Sequence, residues 1–406
     1  MDTFALSPPW LSDNGLRAVL TLLTARGEAR VIGGAVRNTL LSQPVSDFDI
    51  ATTLTPDAVK AAARAAGIAA HDTGIAHGTL TLVSAGTPYE VTTLRRDVTT
   101  DGRRATVAFT TDWDEDAQRR DFTMNALSLD PSGKGYDYVG GYRDCLSREV
   151  RFIGDPVRRI REDHLRILRY FRFHAAYGRG EMDDEALRAI VAERDLVARL
   201  PAERVFHELT RLLAAPRAID ALRVMARNDV IAAFLPVPMD VDGAQQLNAA
   251  ARTLGEDAPS ALSYLALMGY SDTHLSALAG RLKFPRKLTQ RALAALTLSQ
   301  AMPPSSDRAA RLLLYDHGRE AFCDGLMVAL ARGLSLGDHA ALKSLAERFA
   351  PPVFPVSGRD LLEAGASPGP QLGEELHKLK KAWRDSDFAL TREALLALSA
   401  RTAGKT

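Results

Sequence analysis

Along residues 13–26, DNGLRAVLTLLTAR, the apolar positions Leu16, Val19, Leu20 and Leu23 recur at helical spacing behind Asp13 and Asn14, which suit an N-cap. The stretch 31–52 then reads as a strand, a Gly-Gly turn opening a short helix, and a second strand carrying Asp47 and Asp49. A helix follows over 56–66 with Pro56 in its first turn, and alternating runs at 78–84 and 89–94 predict two strands joined by a Gly-Thr-Pro turn. This order gives a small α/β or α+β domain that ends near residue 150. From about Asp155 strand signals vanish. Ala, Leu, Arg and Glu dominate to the C-terminus, broken at 178–180, Pro201, Pro216, Pro236, 255–259, 303–306 and 351–355. Helices of roughly 10 to 18 residues between these breaks predict an all-helical remainder, with no fixed-period repeat to suggest a solenoid.

Composition narrows the class. The 406 residues allow several domains and carry a net charge of only +1, yet 143–172 holds nine Arg against five Asp or Glu. A basic surface near the middle suits phosphate-bearing partners, although arginines on a helix are commonly plain solvated charge. Cys145 and Cys323 are far apart and lack ligand spacing, so neither a disulfide partner nor a zinc site is expected. The N-terminus lacks the basic and apolar regions of a leader, and no window approaches 18 apolar residues. A soluble, cytoplasmic protein with no membrane contact is expected.

The candidate chemistry begins in 31–52. In a strand, Asp47 and Asp49 project from one face, and two adjacent carboxylates suit a hard divalent cation such as Mg²⁺. Gly33 and Gly34 allow a ligand close to the backbone at a helix start, where a triphosphate is favoured. Each feature alone is also an ordinary turn. Together, GGxVR followed by DxD resembles the nucleotidyltransferase signature of the DNA polymerase beta superfamily. Glu90 could add a third carboxylate or be an exposed strand residue. The polar segment 95–111, with Gly102 as pivot, is either a loop that closes over reactants or a surface hairpin. In RRDFTMNA, 119–126, two arginines suit a triphosphate and Asp121 could accept from a ribose hydroxyl. In EDHLRILR, 162–169, helical spacing would put Asp163 and Arg166 on one face, with Glu162 locking the guanidinium. That acceptor and donor match cytosine and adenine. Uracil and guanine place a carbonyl where those bases carry an amine, a mismatch that can be rejected by about 10⁴ to 10⁵-fold. An ion-paired surface helix is the alternative.

GGAVRN, DFDIAT, RRDFTMNA, the GGYRD turn, EDHLRILRYFRF and PAERVFHELTRLL, in this order over about 28–235, resemble the class II tRNA nucleotidyltransferases (CCA-adding enzymes) and their bacterial poly(A) polymerase relatives. FPVSGRDLLEAGASPGPQLGEEL extends the resemblance more weakly to about residue 385. The resemblance implies an α+β fold: a mixed-sheet nucleotidyltransferase head over 1–150, a helical neck over 151–235 with the base-reading motif, and a helical body and tail over 236–406 that bind tRNA. It implies that Asp47 and Asp49 hold catalytic Mg²⁺ in a two-metal arrangement, with Glu90 a possible third ligand. Gly33, Gly34, Arg37, Arg120, Asp121 and Asn125 would bind the nucleotide, Asp163 and Arg166 would read its base with support from Glu162 and Arg169, and Glu203, Arg204 and Glu208 would brace the neck. Asn38 departs from the commoner GGxVRD. The only His-Asp pair, His71-Asp72, lies in the head, so the phosphohydrolase domain of some relatives is not expected. His77 and His164 are read as packing or hydrogen-bonding residues. The expected reaction is addition of CMP and AMP, from CTP and ATP, to the 3′ end of tRNA, its acceptor arm held partly by Lys378, Lys380 and Lys381. Poly(A) synthesis, CC-only addition and a non-catalytic RNA-binding role are the competing readings.

Overall fold

The computed structural model describes residues 1–101, 104–334 and 339–403. Gly102, the expected pivot, lies outside the described residues. Two compact units are present, one comprising 1–238 with 281–283 and the other 239–280 with 284–406.

The first unit is built on an eight-stranded sheet. In chain order its elements are β1 (Asp2–Ala5), α1 (Asn14–Thr24), β2 (Ala29–Ile32), α2 (Gly34–Leu40), β3 (Asp49–Thr52), α3 (Pro56–Ala65), β4 (Ala69–Gly74), β5 (Thr79–Ser84) and β6 (Thr87–Thr93). There follow a separate hairpin of β7 (Arg95–Asp101) and β8 (Arg104–Phe109), then α4 (Trp113–Gln118), β9 (Ser128–Leu129), β10 (Lys134–Asp137) and α5 (Gly141–Ser147). The sheet order is β1-β10-β9-β2-β3-β6-β5-β4, antiparallel except for β3 beside β6. Central β2 is buried along its whole length, whereas β5 alternates. Leu16, Val19, Leu20 and Leu23 are buried as their spacing predicts, and Asp13 caps α1 by accepting the Leu16 N–H at 2.8 Å.

Two expectations are corrected. The β5–β6 turn is Ala85-Gly86, both at positive φ, because Ser84 pairs with Thr87 and Pro88 already lies in β6. Asp47 precedes β3 rather than lying in it. Within 95–111 the described residues pair as the β7–β8 hairpin.

Beyond β10, no named strand occurs among the described residues. The first unit continues with α6 (Pro156–Glu162), α7 (Arg166–Tyr177), α8 (Asp184–Glu193), α9 (Ala202–Leu213) and α10 (Ala218–Arg227). Aromatic packing fixes α7: Phe122 lies 5.0 Å from Phe173 and 6.1 Å from Tyr170, and Phe152 stacks on Tyr170 at 5.5 Å. This cluster pins the backbone beside Asp121 to the face of α7 that carries Arg169.

The later chain is helical: α11 (Val241–Thr253), α12 (Ser260–Leu267), α13 (Asp272–Leu282), α14 (Arg286–Ser299), α15 (Asp307–Ala331), α16 (His339–Arg348), α17 (Gly358–Glu363), α18 (Pro370–Asp385) and α19 (Arg392–Ala403). Near the C-terminus Val356, Leu361, Leu379, Trp383 and Leu395 form a small core of their own.

Candidate active site

Strand register places the first group. Ile32 pairs with Asp49 across β2 and β3, and Asp49 pairs with Glu90 across β3 and β6. The chain leaving β2 therefore turns at Gly33 beside Asp49, and the turn needs glycine because Gly33 has φ of 64°.

A cleft of about 530 Å³ opens there, lined by Gly33, Gly34, Arg37, Asp49, Asp121 and Asn125, by Arg95, Arg119 and Arg120, and by Asp163, Arg166, Arg169 and Phe173. Ten residues that the family resemblance assigns to the site thus converge, with Arg119 of RRDFTMNA beside them. Asp47 and Glu90 do not line the cleft but are electrostatic neighbours of Asp49. Glu162, Arg204 and Glu208 lie behind it, holding residues that do. Glu203 is exposed, 2.8 Å from Lys283 Nζ. Lys378, Lys380 and Lys381 are exposed on α18 in the second unit.

The polar wall is a network. Asp121 Oδ1 accepts from the Phe122 N–H at 2.8 Å and Asn125 Nδ2 at 3.0 Å, while Oδ2 accepts from Arg169 Nε at 2.8 Å and also from Nη2. Burial pushes the Asp121 carboxyl up, but Arg169 and these bonds outweigh it and hold the pKa below the usual range. With four bonds accepted, Asp121 is saturated while Arg169 stays in place. It serves as an anchor rather than a free acceptor for a ribose hydroxyl. Glu208, buried on α9, lies 2.6 Å from Arg172 Nε and 3.9 Å from Arg169.

The base-reading pair is arranged differently from the expectation. Asp163 is the C-cap of α6 and α7 begins at Arg166, so no common helix face exists. The chain turns because Asp163 Oδ1 accepts the Leu165 N–H at 3.2 Å, a local bond that competes with helix continuation. Both side chains reach the cleft all the same. Asp163 Oδ2 is 3.2 Å from Arg204 Nη2. Arg166 Nη1 donates to Glu162 Oε2 at 2.8 Å and to the Arg159 carbonyl at 2.9 Å, and Nη2 donates to the Arg119 carbonyl at 3.1 Å. Among the described residues its Nε–H and one Nη2–H have no acceptor.

Asp116 and Arg119 carry more of the site than their sequence context suggested. Asp116 is only 4% exposed and accepts from Arg119 Nε at 2.9 Å and Nη2 at 2.7 Å, from Arg120 Nη2 at 2.9 Å, and from the Arg95 N–H at 3.3 Å. One buried carboxylate thus aims two arginines and fixes the base of the hairpin. The signal was an acid three and four residues ahead of two arginines. Phe173 and Tyr177, which flank Arg37, had no comparable polar signature.

The carboxylates suit a hard cation. The cleft wall strips hydration from Asp49 and pushes its pKa up; Arg120 partly offsets this and Asp47 adds to it. Glu90 is raised by the same desolvation and by Asp49. A divalent cation would relieve that clustering of negative charge. Among the described residues, no three His, Cys, Asp or Glu side chains form a metal cage. The oxygens of Asp47, Asp49 and Glu90 are the hard donors that a cation such as Mg²⁺ takes.

Residues 29–151 match the family model described as the poly(A) polymerase head domain, 181–240 match "Probable RNA and SrmB- binding site of polymerase A", and 256–398 match tRNA nucleotidyltransferase domain 2. The chain is 33% identical over 403 residues to the human mitochondrial CCA tRNA nucleotidyltransferase 1, covering 97% of this chain and 91% of that one. It is 33% identical over 380 residues to the CCA-adding enzyme of a Geobacillus species, covering 90% and 91%. The crystal structure of the Bacillus stearothermophilus CCA-adding enzyme in complex with CTP superposes with a TM-score of 0.77 at 29% identity, covering 98% and 99% of the two chains. No helix among the described residues is long and apolar enough to cross a membrane.

Proposed function

Because the chain belongs to the family of CCA-adding tRNA nucleotidyltransferases, we propose that it transfers CMP and then AMP, from CTP and ATP, to the 3′ end of tRNA and releases pyrophosphate. The observation that carries this reading is the convergence of Asp49, the arginine cluster and the Asp163–Arg166 pair on one cleft. The Gly33-Gly34 turn lets the triphosphate approach the backbone, and Arg37, Arg119 and Arg120 supply positive charge for it. Asp163 accepts from the exocyclic amine of cytosine or adenine, while the free N–H groups of Arg166 donate to the neighbouring ring nitrogen. Arg204 and Glu162 hold those two side chains in place, and so the selection needs no template.

The RNA 3′-hydroxyl attacks the α-phosphorus of the nucleotide, forming the new P–O bond as the bond to pyrophosphate breaks. Asp47 and Asp49 would hold Mg²⁺, which when bound acidifies that hydroxyl and neutralises charge on the leaving group. Glu90 supports the same negative patch. Glu208 braces Arg169 and Arg172, and through Arg169 it steadies Asp121 on the cleft floor. The remaining helices bind the acceptor arm of tRNA, with Lys378, Lys380 and Lys381 contacting its backbone. The two free thiols favour a reducing compartment, and the cytoplasm is the proposed location.

The test is Asp47→Ala. It should abolish extension of a tRNA lacking its 3′ terminus and leave tRNA affinity unchanged; sustained extension would overturn the assignment.

A further inference from the structure

Six guanidinium groups line the cleft, and they are not held alike. Arg119 and Arg120 pair with Asp116, Arg166 with Glu162, and Arg169 with Asp121. Arg37, only 7% exposed, is held by neutral acceptors instead. Asn38 Oδ1 accepts from its Nε at 3.1 Å and Nη2 at 2.9 Å, Asn125 Oδ1 from Nη1 at 2.5 Å, and Tyr177 Oη from Nη2 at 2.9 Å. The Tyr177 ring covers the cation at 4.0 Å. Among the described residues no carboxylate lies within ion-pairing distance of Arg37; Asp121 acts on it only at longer range, and one Nη1–H is left for a ligand.

A buried charge without a counter-ion is costly, and burial does push the Arg37 pKa down. An aspartate at position 38 could supply the counter-ion with the same two bonds. The amide of Asn38 is oriented against that role, because its Nδ2 donates to the Pro44 carbonyl at 2.9 Å and so turns Oδ1 toward Arg37. We infer that Asn38 is a positioning residue that aims Arg37 into the cleft without neutralising it, leaving the phosphate chain of the incoming nucleotide as the counter-ion. The contribution is blind to the base, unlike that of Asp163 and Arg166.

This inference rests on the nucleotide-binding reading, and equilibrium binding without RNA separates the two. CTP, ATP, inorganic tripolyphosphate, cytidine and adenosine are titrated by calorimetry into the wild type, Asn38→Asp and Asn38→Ala. Asn38→Asp should weaken all three triphosphate ligands by a common factor of at least about tenfold, the effect of one added charge within about 12 Å at an effective dielectric of about 20, and leave the nucleosides unchanged. Asn38→Ala, which loses the aim but adds no charge, should fall between wild type and Asn38→Asp. If Asn38→Asp does not fold, Asn38→Ala alone still decides, since a uniform loss confined to the triphosphates is required of it. Triphosphate binding by Asn38→Asp as tight as by Asn38→Ala, no loss in Asn38→Ala, or a loss confined to one nucleotide would overturn the inference. A wild type that binds neither CTP nor ATP would instead sink the proposed function.

Discussion

Replacing Asp116 by alanine should destabilise the first unit and blunt its nucleotide site together. The carboxylate is 4% exposed, and its removal strands two guanidinium groups whose side chains are only 16% and 20% exposed. Breaking a buried ion pair by deleting one partner costs about 3 to 5 kcal/mol. Partial rehydration of Arg119 and Arg120 places this case near the lower end, at about 3 kcal/mol. Against a typical domain stability of about 5 to 15 kcal/mol the loss is large. Asp116→Asn keeps the shape and one acceptor oxygen and should lose less. The assay is urea denaturation followed by tryptophan fluorescence, since Trp10 and Trp113 lie in the first unit, Trp113 on the same helix as Asp116, and Trp383 in the second. pH supplies a control. Burial pushes the Asp116 carboxyl up, but Arg120 and Arg119 outweigh it, so its pKa is lowered in the fold. Its stabilisation is therefore complete above the ordinary carboxylate pKa of about 3.9 and is lost as pH falls through the folded value. The gap between wild type and Asp116→Asn should close in that window. A loss below about 1 kcal/mol in Asp116→Ala, the scale of one ordinary hydrogen bond, would refute the argument.

Three further outcomes are expected. Asp49→Asn should abolish extension yet raise the melting temperature of the metal-free protein at neutral pH: a carboxyl whose pKa is raised by folding stabilises below its unfolded pKa and loses that contribution as pH rises through the folded value. An unchanged or lower melting temperature would contradict the crowding of charge at that site. Asp163→Ala should lower kcat/KM for CTP and ATP and narrow discrimination against UTP, measured by competing all four nucleotides; retained selectivity would remove Asp163 from base reading. His174, 3% exposed and pushed down to about 4 by burial and by Arg217, favours its neutral form in the fold. Stability should therefore decline as pH falls from about 6.5 toward 4, and His174→Gln should flatten that slope in thermal melts.

What the chain announced and what it concealed follow one physical line. The α1 stripe and the Gly-Gly turn were legible because each follows from local spacing or backbone freedom within a few residues. Strands β1 and β10 were missed because they are short and find each other across more than a hundred residues of chain. The break between α6 and α7 was hidden because EDHLRILR contains no Gly or Pro. The turn is made by the bond from the Leu165 N–H to the Asp163 side chain and by that from the Arg166 N–H to the Asp163 carbonyl, with Arg204 holding the other side-chain oxygen. Asp121 was recognised as a site residue, but its saturation by Arg169 and Asn125 depends on α7 packing through Phe122, Tyr170 and Phe173. Asp116 was legible in principle from its spacing to Arg119 and Arg120, whereas its burial was not.

The most direct test is extension, at single-nucleotide resolution, of a tRNA lacking its 3′ terminus, with Mg²⁺ and with CTP and ATP supplied separately and together. Two cytidines and then one adenosine, stopping there, is the expected product. Arrest after two cytidines, a long adenosine ladder, or no extension at all would contradict the central claim.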